Sequence, residues 1–118
     1  MEQSKVLSAL AALAHSARLD LVRLLMARGD EGMAAGEIAR ALGLSASGLS
    51  FHLSALEQAG LIHSRRVARN VIYAVDRAGI GRTIGYLLNH CCNNHPEVRA
   101  CCRHDAAAAE PVIPPPES

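Results

Sequence analysis

The fold class this sequence predicts is mainly α with a β-hairpin (α+β), a helical bundle closed by one hairpin, and three observations predict it. The chain is 50% hydrophobic but only 3% aromatic, with Ala, Leu, Val and Ile carrying the apolar content, as in packed helices rather than a sandwich or barrel. Apolar residues recur at helical spacing up to Gly60, after which the period becomes that of strands. Between them, GEIARALGLSASGLSFHLSALEQAGL holds two short helical segments joined by a glycine-containing turn, the pattern of a helix-turn-helix. At 118 residues the chain makes one small domain with a modest core, for which pairing with a second copy is a natural supplement.

In order along the chain, residues 4 to 14 predict a helix with Val6, Leu7, Leu10 and Ala14 on one stripe and Leu13 beside it. Ser16 is read as the cap of a second helix, Ala17 to about Arg28, whose Leu21, Leu24 and Leu25 with Val22 give a broad buried face before Gly29 ends it. Asp30 to Ala35 reads as a polar turn. Glu37 to Leu42 is the first helix of the pair, and Gly43 turns the chain into the second. That second helix has Ser45 as a good N-cap and Gly60 as a good C-cap. Its apolar face is Leu49, Leu53 and Leu56, with Ala59 at the margin. The opposite face, Ser47, Ser50, Phe51, Ser54 and Gln58, bears no charge, which is unusual for a helix meant only to meet water. Small hydroxyl side chains early in such a helix let the backbone approach a DNA major groove and can bond bases or phosphates. His52, at the edge of the apolar face, is expected to pack half-buried and to bond a phosphate rather than a metal.

After Gly60, LIHSRRV and VIYAV form a hairpin around Ala68, Arg69 and Asn70. The formal net charge is only +1, so the whole molecule is no general polyanion binder and any nucleic-acid face must be local. Residues 60 to 82 hold Arg65, Arg66, Arg69, Arg77 and Arg82 against the single acid Asp76. A basic hairpin directly after such a helix is a wing able to reach the phosphate backbone or the minor groove; Arg65, Arg66 and Arg69 are the candidates.

A last helix is expected from about Arg77 to Asn93, with Ile80, Ile84, Leu87 and Leu88 on its stripe. Gly79, Gly81 and Gly85 each cost about 1 kcal/mol there relative to Ala, so they should permit close approach of another helix or keep this one easy to move. Pro96 disfavours helix at His95, and Glu97 to Cys102 provides one further turn. The organisation expected is residues 1–95 for DNA binding and dimerisation, 96–105 as a cysteine-bearing segment, and 106–118, AAAAEPVIPPPES, as a disordered proline-rich tail. The run KVLSALAALA is too short, and too close to Glu2, for a secretory leader. With no apolar run long enough to span a membrane, the protein is expected in the cytoplasm with its thiols reduced.

All four cysteines, Cys91, Cys92, Cys101 and Cys102, stand in one C-C-x8-C-C cluster. Four thiols in a small volume favour a soft, thiophilic ion. Adjacent cysteines on a helix point apart and chelate a tetrahedral ion awkwardly, yet His90, His95 and His104 keep zinc open. Trivalent arsenic or antimony needs only three thiolates in a pyramid, and a monomethylated form only two. Redox or persulfide sensing and buried unliganded thiols are the other readings of the same residues. The chain lacks a C-x-x-C at a helix start, a nucleotide-binding glycine loop, and acid/base pairs at reactive spacing, so an enzyme is not expected. Metal storage, with the helix-turn-helix incidental, would predict no sequence-selective DNA binding.

LAHSARLDLVRLL, GEIARALGLSASGLSFHLSALEQAGLI and RRVARNVIYAV together resemble the ArsR/SmtB family of winged-helix metal-responsive repressors, over most of residues 5 to 90. The resemblance implies a homodimer paired through its first and last helices, bound to double-stranded operator DNA with an inverted repeat and released by inducer. The Cys-x-Cys of the best-known arsenic repressors is absent, with Met33, Ala34 and Ala35 in its place, and Asp76 followed by Ala78 departs from the zinc-type pattern. The C-terminal cysteines instead resemble the arsenic- and antimony-sensing branch. Carried over, Cys91 and Cys92 with Cys101 or Cys102 would bind arsenite, antimonite or methylarsenite.

Overall fold

The computed structural model of the protein describes residues 2 to 102; the tail read at 106–118 and the end of the 96–105 segment lie outside the described residues. Helix α1 (Gln3–Leu13) and α2 (Ser16–Arg28) are followed by a short 3-10 turn (Gly29–Glu31) and strand β1 (Met33–Ala34). Helices α3 (Ala35–Leu42) and α4 (Ala46–Gln58) lead into strands β2 (Ile62–Val67) and β3 (Asn70–Val75). Helix α5 (Arg77–Tyr86), a π-helical turn (Leu87–Cys91) and α6 (Pro96–Cys102) complete the described chain. The chain divides into two compact units, one through Thr83 and one from Ile84.

In the first unit, Leu21, Leu25, Ile38, Leu49, Leu56, Leu61 and Ile62 are fully buried, each contributing about 1.5–3 kcal/mol by removal from water. They come from α2, α3, α4 and the start of the hairpin, so the core sits directly behind the helix-turn-helix and fixes its angle. Helix α1 differs from expectation: Val6, Ala9 and Ala12 are buried, whereas Leu7 is 56% and Leu10 38% exposed. Alanines on the inner face let α1 lie close to the bundle, and the bulkier leucines are turned outward.

The second helix also starts differently. His15 occupies the cap with extended backbone and no side-chain bond, and Ser16 is already helical. The stretch expected to be a polar turn supplies β1, so the sheet has three antiparallel strands in the order β1-β3-β2. Met33 pairs with Tyr73 and Ala34 with Ile72, because Met33 is apolar enough to be buried at 5% exposure. Gly32 precedes it at φ 68, where a Cβ would overlap the Tyr73 carbonyl oxygen, so only glycine lets this edge approach β3. The hairpin turn is tighter than read: Asn70 already pairs with Val67, leaving Ala68, at φ 56, and Arg69 at the tip.

Helix α3 begins two residues before Glu37, whose carboxylate accepts a hydrogen bond from the Ala34 N–H at 3.1 Å and so satisfies a free amide at the helix start. Gly43 ends it at φ 67.

In the second unit the α-helical pattern does not run on to Asn93. It gives way to the π turn, in which the Cys92 N–H bonds the Leu87 carbonyl at 2.8 Å. Asn93 and Asn94 then adopt φ 53 and 52, the left-handed region that Asn tolerates better than most residues. His95 Nδ1 accepts from the Glu97 N–H at 3.1 Å, opening α6.

Candidate nucleic-acid interface and thiol cluster

Helix α4 carries the uncharged face outward. Ser47, Ser50 and Ser54 are exposed, and Phe51 is 65% exposed, a large apolar ring that no core contact explains. Ser45 is used differently from its neighbours: its hydroxyl accepts from the Gly48 N–H at 3.1 Å and is committed to capping the helix. Leu49, Leu53 and Leu56 on the reverse face are buried as expected.

His52 lies half-buried at the junction of the two faces, and its partner is a residue the sequence reading passed over. Arg18, from α2, is buried at 5% exposure. Its Nε donates to His52 Nδ1 at 3.0 Å and its Nη1 to the Ala12 carbonyl at 3.3 Å. The same guanidinium lies 5.3 Å from the centroid of the Phe51 ring, within cation–π range. Burial, then the Arg18 charge, then His15 hold the His52 imidazole below its ordinary pKa of 6.5. A signal for Arg18 did exist: Arg18, Leu21 and Leu25 follow the i, i+3, i+7 spacing of one helix stripe, so an arginine stood on a buried face.

On the wing, Arg66 and Arg69 are exposed at and beside the tip. Arg65 points its guanidinium back to the 3-10 turn, donating to the carbonyls of Asp30 at 3.1 Å and Glu31 at 3.2 Å. Its spacing in β2 had suggested phosphate contact; in the fold it holds the base of the wing, where Arg77 also meets Asp30 at 2.9 Å. Ser64 donates to the Glu57 carboxylate at 2.8 Å, which ties β2 to the end of α4 and sets the wing relative to that helix.

The cysteines fall on either side of the turn at Asn93 and Asn94. Cys91, Cys101 and Cys102 are exposed and Cys92 is half-buried. Desolvation raises the Cys92 thiol above its ordinary pKa, reinforced by a hydrogen bond to Cys91 and by the proximity of Cys91 and Cys102. The structure therefore places the two cysteine pairs on either side of one short turn. Among the described residues, no three His, Cys, Asp or Glu side chains stand close enough to hold one ion. The His90 ring packs tilted against Tyr86, with centroids 4.9 Å apart. No helix among the described residues is long and apolar enough to cross a membrane.

A helix-turn-helix with an exposed uncharged face, backed by a core and flanked by a basic hairpin, defines the class: a winged-helix DNA-binding regulator. Residues 13–65 match the model of a helix-turn-helix domain. The chain is 39% identical over 83 residues to the HTH-type transcriptional regulator YgaV of Escherichia coli K12, covering 70% of this chain and 82% of that protein. An ArsR-like transcriptional regulator from Rhodococcus sp. RHA1 superposes with a TM-score of 0.68 at 26% identity, over 82% of this chain and 89% of that one. The homodimeric winged helix-turn-helix DNA-binding domain of Mb0332 from Mycobacterium bovis matches with a TM-score of 0.58 at 29% identity, over 74% and 84%. The chain belongs to the ArsR family of winged helix-turn-helix transcriptional regulators.

Proposed function

We infer that the protein is a homodimeric repressor that leaves inverted-repeat operator DNA when trivalent arsenic or antimony, as arsenite, antimonite or methylarsenite, binds its C-terminal thiolates. The observation that carries this reading is the placement of all four cysteines in one short segment on either side of the Asn93–Asn94 turn. Three thiolates match the pyramidal preference of these ions, and two suffice for a methylated one. Cys101 or Cys102, both exposed on α6, is the third ligand in this reading. Since the thiols are not yet close enough to share an ion, binding must draw α6 toward the π turn. That movement is the differential interaction between bound and free states which coupling to DNA requires.

Dimerisation is supported by the homodimeric relative and by Leu7 and Leu10, apolar and exposed on α1. Ser47, Ser50, Phe51 and Ser54 would face bases and Arg66 and Arg69 phosphates. The adjacency of Cys91 and Cys92, with Cys91 exposed, also favours a second reading, oxidation or persulfidation of this pair as the releasing event. Zinc would need donors from His90 or His95 that do not converge with the thiols among the described residues.

The test is fluorescence anisotropy of a DNA duplex selected by the reduced protein from random sequence, titrated with arsenite, antimonite, methylarsenite and zinc. Metalloid should weaken binding about 5- to 150-fold, the usual span of allosteric coupling. Cys91→Ser or Cys92→Ser should abolish the response, and comparing Cys101→Ser with Cys102→Ser for arsenite identifies the third ligand. Release by zinc alone, or unchanged affinity at saturating metalloid, defeats the proposal. Release by a peroxide or polysulfide and reversal by dithiothreitol, without a metalloid response, would establish the second reading.

A further inference from the structure

The geometry points to Arg18 as a positioning residue for DNA recognition: it locks His52 in the tautomer that presents an outward Nε2–H to a DNA phosphate, and it steadies the Phe51 ring beside it. This rests on the DNA-binding reading of α4 but on none of the cysteine chemistry.

A guanidinium is an obligate donor that stays charged at any pH the protein meets. With Arg18 Nε 3.0 Å from His52 Nδ1, Nδ1 must carry the lone pair, and the ring's one proton is forced onto Nε2. The imidazolium form would set N–H against N–H and charge against charge. Among the described residues, the charged and titratable groups that act on the ring, Arg18 and His15, both disfavour its protonation. Arg18 comes from α2, His15 from the turn between α1 and α2 with its ring centroid 6.1 Å away, and Phe51 from α4 itself at 5.7 Å. Helix α1 contributes the Ala12 carbonyl, which accepts from Arg18 Nη1.

A buried arginine is costly unless something compensates it. Among the described residues the ion pairs are Arg23 with Asp20 and Arg77 with Asp30, so no carboxylate neutralises Arg18. Its partners are an imidazole nitrogen, a carbonyl and a ring face. A cation with no carboxylate partner, directly behind a half-buried histidine and a 65% exposed phenylalanine, is a poor device for stability alone. It becomes intelligible when the outer side of the cluster meets a polyanion, whose field offsets the buried charge. The neutral Nε2–H then makes a hydrogen bond to phosphate that carries no counterion-release component of its own.

Nitrogen-15 imidazole spectra of the full reduced protein between pH 5 and 8 test the first half directly. His52 is expected with an unprotonated Nδ1 and a protonated Nε2, and with a titration midpoint below the ordinary 6.5. An Nδ1–H tautomer in the native protein would overturn the inference whether or not DNA binds. The second half uses Arg18→Lys, which keeps charge and bulk, beside Arg18→Met, with helical circular dichroism verifying that each is folded. Both should release the tautomer and weaken DNA binding about three- to tenfold at pH 7.5, the range of one hydrogen bond. His52→Gln, which keeps an N–H near the Nε2 position, should lose less and leave the salt dependence unchanged.

The loss should be shared by selected and random-sequence duplexes, as for a phosphate contact. Unaltered affinity in folded Arg18→Lys with a freed tautomer, or a loss confined to the selected sequence, would sink the phosphate role. A protein that binds no DNA in any form fails the regulator reading itself, a result distinct from either.

Discussion

His52 illustrates how one contact sets both recognition and stability. Its folded pKa is depressed by burial and by Arg18, whereas in the unfolded chain it returns to about 6.5. Between the two values the unfolded state binds more protons, so stability is full above the unfolded value and falls as the pH drops through 6.5 toward the folded one. The expected outcome is a urea midpoint that declines more steeply from pH 7.5 to 5.5 in the native protein than in His52→Gln. Equal slopes in the two proteins would mean that His52 does not titrate in this window. Exposure and periodicity placed His52 correctly at the edge of the apolar face. Its partner escaped notice because Arg18 and His52 are 34 residues apart, and a helical pattern reports which face a residue occupies, not which side chain from another helix meets it. The same limit applies to Arg65: alternation in β2 was legible, but the carbonyls that claim its guanidinium lie 34 and 35 residues earlier.

Among the elements, the two helices of the recognition pair were legible to within two residues because their caps are local chemistry: Ser45 and Gly43 act through neighbours three or four positions away. Strand β1 was not, since two residues hold no periodicity and its existence depends on β3 forty residues later. Helix α5 also misled, because Leu87 and Leu88 continue its stripe while the backbone has already widened into the π turn. Its glycines, read together as permitting close approach or keeping the helix easy to move, separate into different roles. A Cβ on Gly79 would overlap the Gly60 carbonyl oxygen, so this glycine lets α5 pack on the loop after α4; Gly81 has open space around it. Gly79→Ala should therefore lower unfolding stability by about 1–3 kcal/mol, the range of overpacking. Gly81→Ala should raise it by about 0.4–1 kcal/mol through reduced freedom of the unfolded chain. Thermal or urea unfolding of both variants checks the contrast, and equal effects would refute the assignment of close contact to Gly79 alone.

At the scale of the whole molecule, the sequence made the winged helix-turn-helix legible because its core is spread over several strongly periodic helices. What it could not order was the thiol cluster, where the decisive event is a reversal of the chain through two left-handed asparagines. The outward leucines of α1 bear on assembly in the same way. Leu7 and Leu10 sit on a helix whose inner face is already satisfied by Val6, Ala9 and Ala12, so burying them needs surface that the described residues do not supply. A modest core in a small domain gains from that second source of burial. If two copies supply it, folding and association are linked, and the thermal midpoint should rise with protein concentration. Leu7→Glu with Leu10→Glu should remove that dependence and shift the sedimentation mass from two chains to one. It should also weaken operator binding, because an inverted repeat is read by two recognition helices held at one spacing. A double variant that still sediments as a dimer would place the pairing surface elsewhere, and one that is monomeric yet binds the selected duplex with undiminished affinity would separate DNA recognition from dimerisation.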